Sequence, residues 1–173
     1  MILKSITNFN NVNDYLPILN GCINADLMFI FLVYHGFIKS VFIKKWYKTF
    51  KLNAIIVDVL IFFIIIIIAR YVCTYLFKVY TILFFIGLAI CIQIIHDILF
   101  YIIFTNTPMG YNSMLDFFKG YSNEIGIGAM FTNICIISLA CLFSAYFNTF
   151  SLNMNIITLI ISCYFYPYMI NYE

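Results

Sequence analysis

Gln93, His96, Asp97 and Tyr101 are separated by steps of three, one and four residues inside an otherwise apolar run. On a helix that spacing draws a single polar stripe. An imidazole beside a carboxylate can pass protons near neutral pH, and ionisable groups inside a membrane mark proton paths, ion sites or ties between helices. Asp58 sits about 6 Å, and Asp97 about 10 Å, from the inner ends of their apolar stretches at 1.5 Å per residue, so the stripe can face Asp58 on a neighbouring helix. Asn133, Lys39 and Glu124 can approach the same layer. Three roles suit Asp58, Gln93, His96, Asp97 and Asn133, in this order: a structural tie with the acids paired to His96 or Lys39, proton or ion coupling, and catalysis or metal binding. The last ranks lowest. One His beside one Asp lacks the spaced ligand set of a metal centre, and no nucleophile is matched to His96. Catalytic residues, metal ligands and cofactors are therefore not expected.

The elements that must hold this layer are apolar helices. Of 173 residues 65% are hydrophobic and 9% charged, against about a quarter charged in a soluble domain. Lipid must be the main solvent, and there the backbone is satisfied only in helices or closed barrels. Unbroken runs such as Leu60 to Ala69 lack the alternation of a barrel strand, which leaves an all-α integral membrane bundle of about five transmembrane helices. A span needs roughly 20 apolar residues, and five stretches approach that: 27–43, 54–70, 79–104, 125–147 and 151–170. The first is interrupted by His35, Gly36 and Lys39; the second holds Ile64 to Ile68 unbroken; the last ends near Pro167. Residues 1–26, rich in Asn and without a signal-peptide pattern, read as an exposed polar arm preceding a 27–173 bundle. The fourth span carries Gly126, Gly128, Ala129, Thr132 and Cys135, small residues that favour a central position. Gly126-Ile127-Gly128 lacks the third glycine and preceding strand of a dinucleotide site. No internal repeat stands out in the sequence.

Between the third and fourth spans, Thr107-Pro108-Met109-Gly110 spells a turn, and Ser113 to Asp116 resembles a capping box opening a short interfacial helix that Gly120 would stop. Phe117 and Phe118 would dip into the interface, and Asp116, Phe117, Phe118 and Lys119 form a candidate partner-contact loop. A second is Lys44, Lys45 and Lys48, which with Lys51 make the strongest basic cluster. By the positive-inside rule this cluster faces the cytoplasm or its equivalent, with the N-terminus outside and the C-terminus inside. Arg70 and Lys78 on the opposite side argue against that orientation. A net charge of +2 gives no reason to expect a nucleic-acid partner. The six cysteines, Cys22, Cys73, Cys91, Cys135, Cys141 and Cys163, form neither a metal pattern nor a disulfide framework and read as small packing residues.

The segments His96-Asp97-Ile98-Leu99-Phe100-Tyr101, Pro108-Met109-Gly110-Tyr111-Asn112, Leu115-Asp116-Phe117-Phe118-Lys119-Gly120-Tyr121 and Glu124-Ile125-Gly126 resemble small uncharacterised multi-span membrane proteins of nucleocytoplasmic large DNA viruses. The likeness covers roughly the C-terminal half. It implies a viral structural protein of the virion's internal membrane, a minor capsid-associated component linking membrane to shell, with other membrane or capsid proteins as partners and no enzymatic activity. An AT-rich coding bias also suits an organelle-encoded accessory subunit of a respiratory complex in the mitochondrial inner membrane. The third reading is a small proton-coupled transporter or membrane enzyme using the Asp58, His96 and Asp97 layer.

Overall fold

The computed structural model describes residues 4–78 and 81–171, apart from the side chains of Glu124, Ile125 and Ile127. Those residues are all-helical, with no strand among them. The helices are α1 (Tyr15–Tyr34), α2 (Val41–Phe50), α3 (Leu52–Val72), α4 (Ile82–Asn106), α5 (Ser113–Ile125), α6 (Ile127–Phe147) and α7 (Leu152–Ile170). A 3-10 turn leads into α1 and a π turn, Cys73–Phe77, ends α3. Among the described residues four helical segments are long and apolar enough to cross a membrane: Val12–Tyr34, Leu52–Phe77, Ile82–Asn106 and Gly128–Phe147.

The first of these lies 15 residues upstream of the 27–43 stretch expected from hydropathy, and the two overlap only in part. Residues 15–26 are therefore not an exposed arm. Pro17, Ile18, Asn20, Gly21, Cys22, Ala25 and Asp26 are buried in α1. Its mean hydropathy, 1.8, equals that of Gly128–Phe147, and its polar side chains find partners on other helices. Asn20 donates to Asn155 Oδ1 and to the Asn155 carbonyl, both at 2.9 Å, and Asn24 donates to Ser162 Oγ at 3.1 Å. α1 packs on α6, α7, α3 and α2, and α6, the span expected to be central, packs on α1, α4, α5 and α3. Contact with α6 is closest at Gly21, where a Cβ would stand 2.6 Å from the Ser144 nitrogen and 2.7 Å from the Ala140 carbonyl.

After α1 the chain breaks at Gly36, whose φ of +78° suits a residue without Cβ. Ser40 then caps α2, accepting from the Ile43 amide at 3.2 Å. Residues 35–43 thus leave the span to make a turn and begin a separate short helix. The second turn follows the same rules: Thr107 is extended, as a residue before Pro must be, and Asn112 caps α5 through the Met114 and Leu115 amides. Ser113 is not the cap. Asp116 turns back to accept from the Gly110 amide at 2.9 Å rather than closing a capping box. Gly120 does not stop the helix either; it lies inside α5, where a Cβ would meet the Phe42 ring at 2.9 Å.

The order of elements contains a repeat that the sequence conceals. α1, a six-residue link, short α2, one hinge residue and long α3 are followed by α4, a six-residue link, short α5, one hinge residue and long α6. Both hinges adopt the same unusual backbone, Lys51 at φ 48°, ψ −122° and Gly126 at φ 53°, ψ −126°. Packing follows the same exchange: α1 lies on α6 as α4 lies on α3, α1 contacts α3 as α4 contacts α6, and α2 lies on α5. The shared signal is backbone conformation and element length, which different side chains satisfy equally well.

Away from these contacts the helices present apolar surface. Leu52, Ile56, Leu60, Ile64 and Ile68 recur every fourth residue along the exposed face of α3. Ile95, Ile98, Leu99, Ile102 and Ile103 do the same for α4. A continuous apolar exterior, with the buried polar groups paired inside an otherwise apolar core, suits lipid as the solvent.

Candidate functional site

α2 and α5 together close one end of the bundle. Trp46 anchors the closure, its ring 4.7 Å from Phe50, 5.4 Å from Phe117 and 4.9 Å from Phe118, measured between centroids. Phe118 in turn meets Phe100 of α4 at 5.1 Å. Phe117 and Phe118 therefore point into the protein, not outward to a membrane interface or a partner. Lys119 is likewise held inward, donating to the Thr107 carbonyl and lying 3.9 Å from Asp116. In the other candidate contact segment the lysines do face out: Lys45, Lys48 and Lys51 are exposed and Lys44 is half-buried.

Beneath that aromatic layer is a cavity of about 110 Å³, enough for several water molecules. Asp58, Gln93, His96, Asp97 and Asn133 all line it, together with Asp26, Trp46 and Tyr47. The five polar residues expected to share a layer are thus brought together, with His96 beside Asp97 as one of the expected pairings and Asp58 bonded elsewhere. His96 and Asp58 do not bond to each other. Asp97 is held from its own helix and from α6: Gln93 Nε2 donates at 2.7 Å, Asn133 Nδ2 donates at 3.1 Å, and His96 Nδ1 lies 3.3 Å away. Asp58 Oδ2 meets α2 instead: Trp46 Nε1 donates to it and the Tyr47 hydroxyl lies beside it, both at 3.0 Å. Lys39 is exposed and does not line the cavity, Tyr101 is exposed, and the Glu124 side chain lies outside the described residues.

Asp26, Tyr47 and Tyr166 complete the site and were not identified from sequence. Asp26 is 1% exposed. Its two oxygens lie 3.1 Å from the Tyr47 hydroxyl and 3.1 Å from the Tyr166 hydroxyl. Tyr166 also reaches the Ile23 carbonyl at 3.1 Å. One chain of hydrogen bonds therefore joins α1, α2, α3 and α7. Asp26 lies in the Asn-rich stretch read as a solvated arm, although the mean hydropathy of Val12–Tyr34, 1.8, is that of a span.

The two halves of the chain contribute comparable groups. Asp58 lies seven residues after the Lys51 hinge and Asn133 seven after the Gly126 hinge, so each starts the same distance into its long helix. Asp26 and Asp97 each stand two turns or slightly more before the ends of α1 and α4. The cavity is consequently the meeting place of the two repeats.

The opposite end is closed by residues 4–14. Arg70, fully buried, donates to Asp14 at 3.0 Å, to the Asn11 carbonyl at 2.8 Å and to the Asn8 carbonyl. Its guanidinium also lies 4.9 Å from the centre of the Tyr15 ring. Phe9 N donates to Thr74 Oγ1 at 2.8 Å, and Asn148 Nδ2 to the Ser5 carbonyl at 3.0 Å. Arg70 is thus neutralised internally, which removes its objection to placing the α2 lysines on the cytoplasmic side. Among the described residues no group of three or more His, Cys, Asp or Glu could hold a metal ion. No protein-family model, curated protein or solved structure matches this chain.

Proposed function

We propose that this is a structural multi-pass membrane protein with five spans, anchored through a locked interior and presenting the α2 lysines to partners at one membrane face. The observation that supports this most directly is the division of its polar groups. The interior ones join helix to helix, as Asn20 with Asn155, Asp97 with Asn133 and Arg70 with Asp14, while Lys45, Lys48 and Lys51 face outward. Internal pairing stabilises a bundle without leaving charge in lipid.

α7 is the fifth span in this reading. Its 19 residues extend about 28 Å at 1.5 Å per residue, close to the roughly 30 Å of hydrocarbon. α7 packs along α1, with Tyr34 donating to the Ile170 carbonyl at 3.3 Å. Tyr164 and Tyr168 are exposed near its end, where interfacial aromatics collect. With five spans, cysteines introduced at Ser5 and at Asn171 become reactive to an impermeant maleimide from opposite sides of sealed vesicles. Labelling of both from one side means that an even number of helices cross. α2 and α5 then lie at the interface of the inner leaflet, α5 being the short interfacial helix between the third and fourth spans.

The likeness to giant-virus membrane proteins supplies the setting: an internal virion membrane, with the protein linking membrane to capsid. Cross-linking mass spectrometry on native membranes or particles, read at Lys45, Lys48 and Lys51, tests it. Links to capsid proteins support this role. Links to respiratory-complex subunits replace it with the organellar reading, and links confined to the chain itself overturn a linking role.

A further inference from the structure

The hydrogen-bond chain through Asp26 and Asp58 can be solved for its protons. It has four oxygen-to-oxygen contacts: Tyr166 with the Ile23 carbonyl, Tyr166 with Asp26 Oδ2, Tyr47 with Asp26 Oδ1, and Tyr47 with Asp58 Oδ2, at 3.1, 3.1, 3.1 and 3.0 Å. Each contact needs one hydrogen, and each tyrosine has one to give. A carbonyl has none, so the Tyr166 hydrogen must go to Ile23. The contact between Tyr166 and Asp26 must then be filled by a proton on Asp26 Oδ2. Asp26 Oδ1 is left as an acceptor and takes the Tyr47 hydrogen. The last contact, with Asp58, can be filled only by a proton on Asp58 Oδ2. Filling all four contacts at once has a single assignment, with both acids neutral and Asp58 Oδ2 also accepting from Trp46 Nε1.

The other half of the cavity is built for the opposite state. Asp97 faces the N–H groups of Gln93 and Asn133 and the ring nitrogen of His96, and a carboxylate that accepts such bonds needs no proton. The titratable groups facing the carboxyl pair are Tyr47 and Tyr166, with His96, Asp97 and Tyr121 across the cavity; no Lys or Arg lines it. Between the halves, Gln93 is 1% exposed and its Oε1 has no hydrogen-bond partner. An unfilled acceptor on the wall of a cavity large enough for water is a place for a donor to sit. His96 also lines the cavity, and its side chain is 34% exposed against 12% for Asp97.

We propose that this cavity is a proton-binding site at the junction of the two repeats, in which Asp26 and Asp58 carry protons that reach them through water held at Gln93 Oε1 and beside His96. The ligand is the proton or its hydrated form, and no redox or covalent step is involved. Loss of the Asp58 proton would leave Tyr47 facing Asp58 with no hydrogen between them unless Tyr47 turned away from Asp26. Proton release therefore costs Tyr47 its bond to Asp26 or to Asp58, while Trp46 Nε1 still holds Asp58 Oδ2 and keeps α2 on α3.

The test is infrared spectroscopy of the full-length chain in lipid vesicles at neutral pH, reading the carbonyl stretch of protonated carboxyls. The expected result is a band that is halved in Asp26→Asn and in Asp58→Asn, unchanged in Asp97→Asn, and shifted in D₂O. Asparagine can donate as well as accept, so these variants imitate the neutral acids and are expected to fold. Should either fail, aspartate-selective ¹³C labelling of the unaltered protein gives the same answer: among its aspartates, two neutral carboxyls are expected. No neutral carboxyl, or a band that survives both replacements together, overturns the site. A band that never exchanges in D₂O overturns the water path. A band abolished by added sodium salt at fixed pH overturns the proton as ligand in favour of a metal cation. These outcomes are independent of the cross-linking result, because a linking protein and a free-standing one can each hold the protons.

Discussion

Gly21→Leu is expected to yield aggregated protein, and Gly21→Ala to lower stability by about 1–3 kcal/mol, the range for forcing atoms into a filled core. The reason is the nature of the neighbours. A Cβ at Gly21 would stand 2.1 Å from Ser144 Oγ, which can rotate, but also 2.6 Å from the Ser144 nitrogen and 2.7 Å from the Ala140 carbonyl, which cannot. Relief requires α1 and α6 to separate, and α1 also carries Asn20 and Asp26, whose bonds reach α7, α2 and, through Tyr47, α3. The site chemistry is thus expected to fail with the packing. Gly87 is the control: a Cβ there meets nothing within 4 Å, so Gly87→Ala should stabilise α4 by about 0.5–1 kcal/mol. Thermal unfolding in detergent, followed by size-exclusion recovery, measures both. Equal midpoints for Gly21→Leu and the unaltered chain would mean that α1 and α6 do not meet at this distance.

The second large effect is expected at the other end of the bundle, where Asp14→Ala should cost about 3–5 kcal/mol, the cost of leaving a buried charge without its partner. Arg70 and Asp14 are 0% and 1% exposed and 3.0 Å apart. Arg70 is also the group onto which residues 8 and 11 fold their carbonyls, so the loss should release the segment before α1. Combining Asp14→Ala with Arg70→Met removes the stranded charge and should recover part of the loss, although the Asn8 and Asn11 carbonyls then lose a donor. The double-mutant cycle isolates the pair. An Asp14→Ala protein within 0.5 kcal/mol of the parent would mean that Arg70 is already satisfied by carbonyls and the Tyr15 ring alone.

Much of this protein follows from composition and run length. The scarcity of charge and the unbroken run around Ile64–Ile68 require helices with apolar exteriors, because an unpaired backbone is costly in lipid. The 54–70 stretch lies inside α3, and the last three stretches closely match α4, α6 and α7. The common depth of Asp58 and Asp97 was legible for the same reason: rise per residue is a local property of the helix. So was the grouping of Gln93, His96 and Asp97 on one stripe.

What the tertiary structure decided is where polarity is paid back. Asn20, Asn24 and Asp26 have the same hydropathy in a solvated arm as in a helix, and only Asn155, Ser162, Tyr47 and Tyr166, 21 to 140 residues away in sequence, make their burial tolerable. Reading these residues as a solvated arm misplaced the start of α1, although the mean hydropathy of Val12–Tyr34 equals that of Gly128–Phe147. The inward turn of Phe117, Phe118 and Lys119, the place of Gly120 inside α5, and the repeat carried by the Lys51 and Gly126 hinges escaped local reading for a related reason. Each depends on which surface a neighbouring helix offers, and that is a property of packing between distant segments.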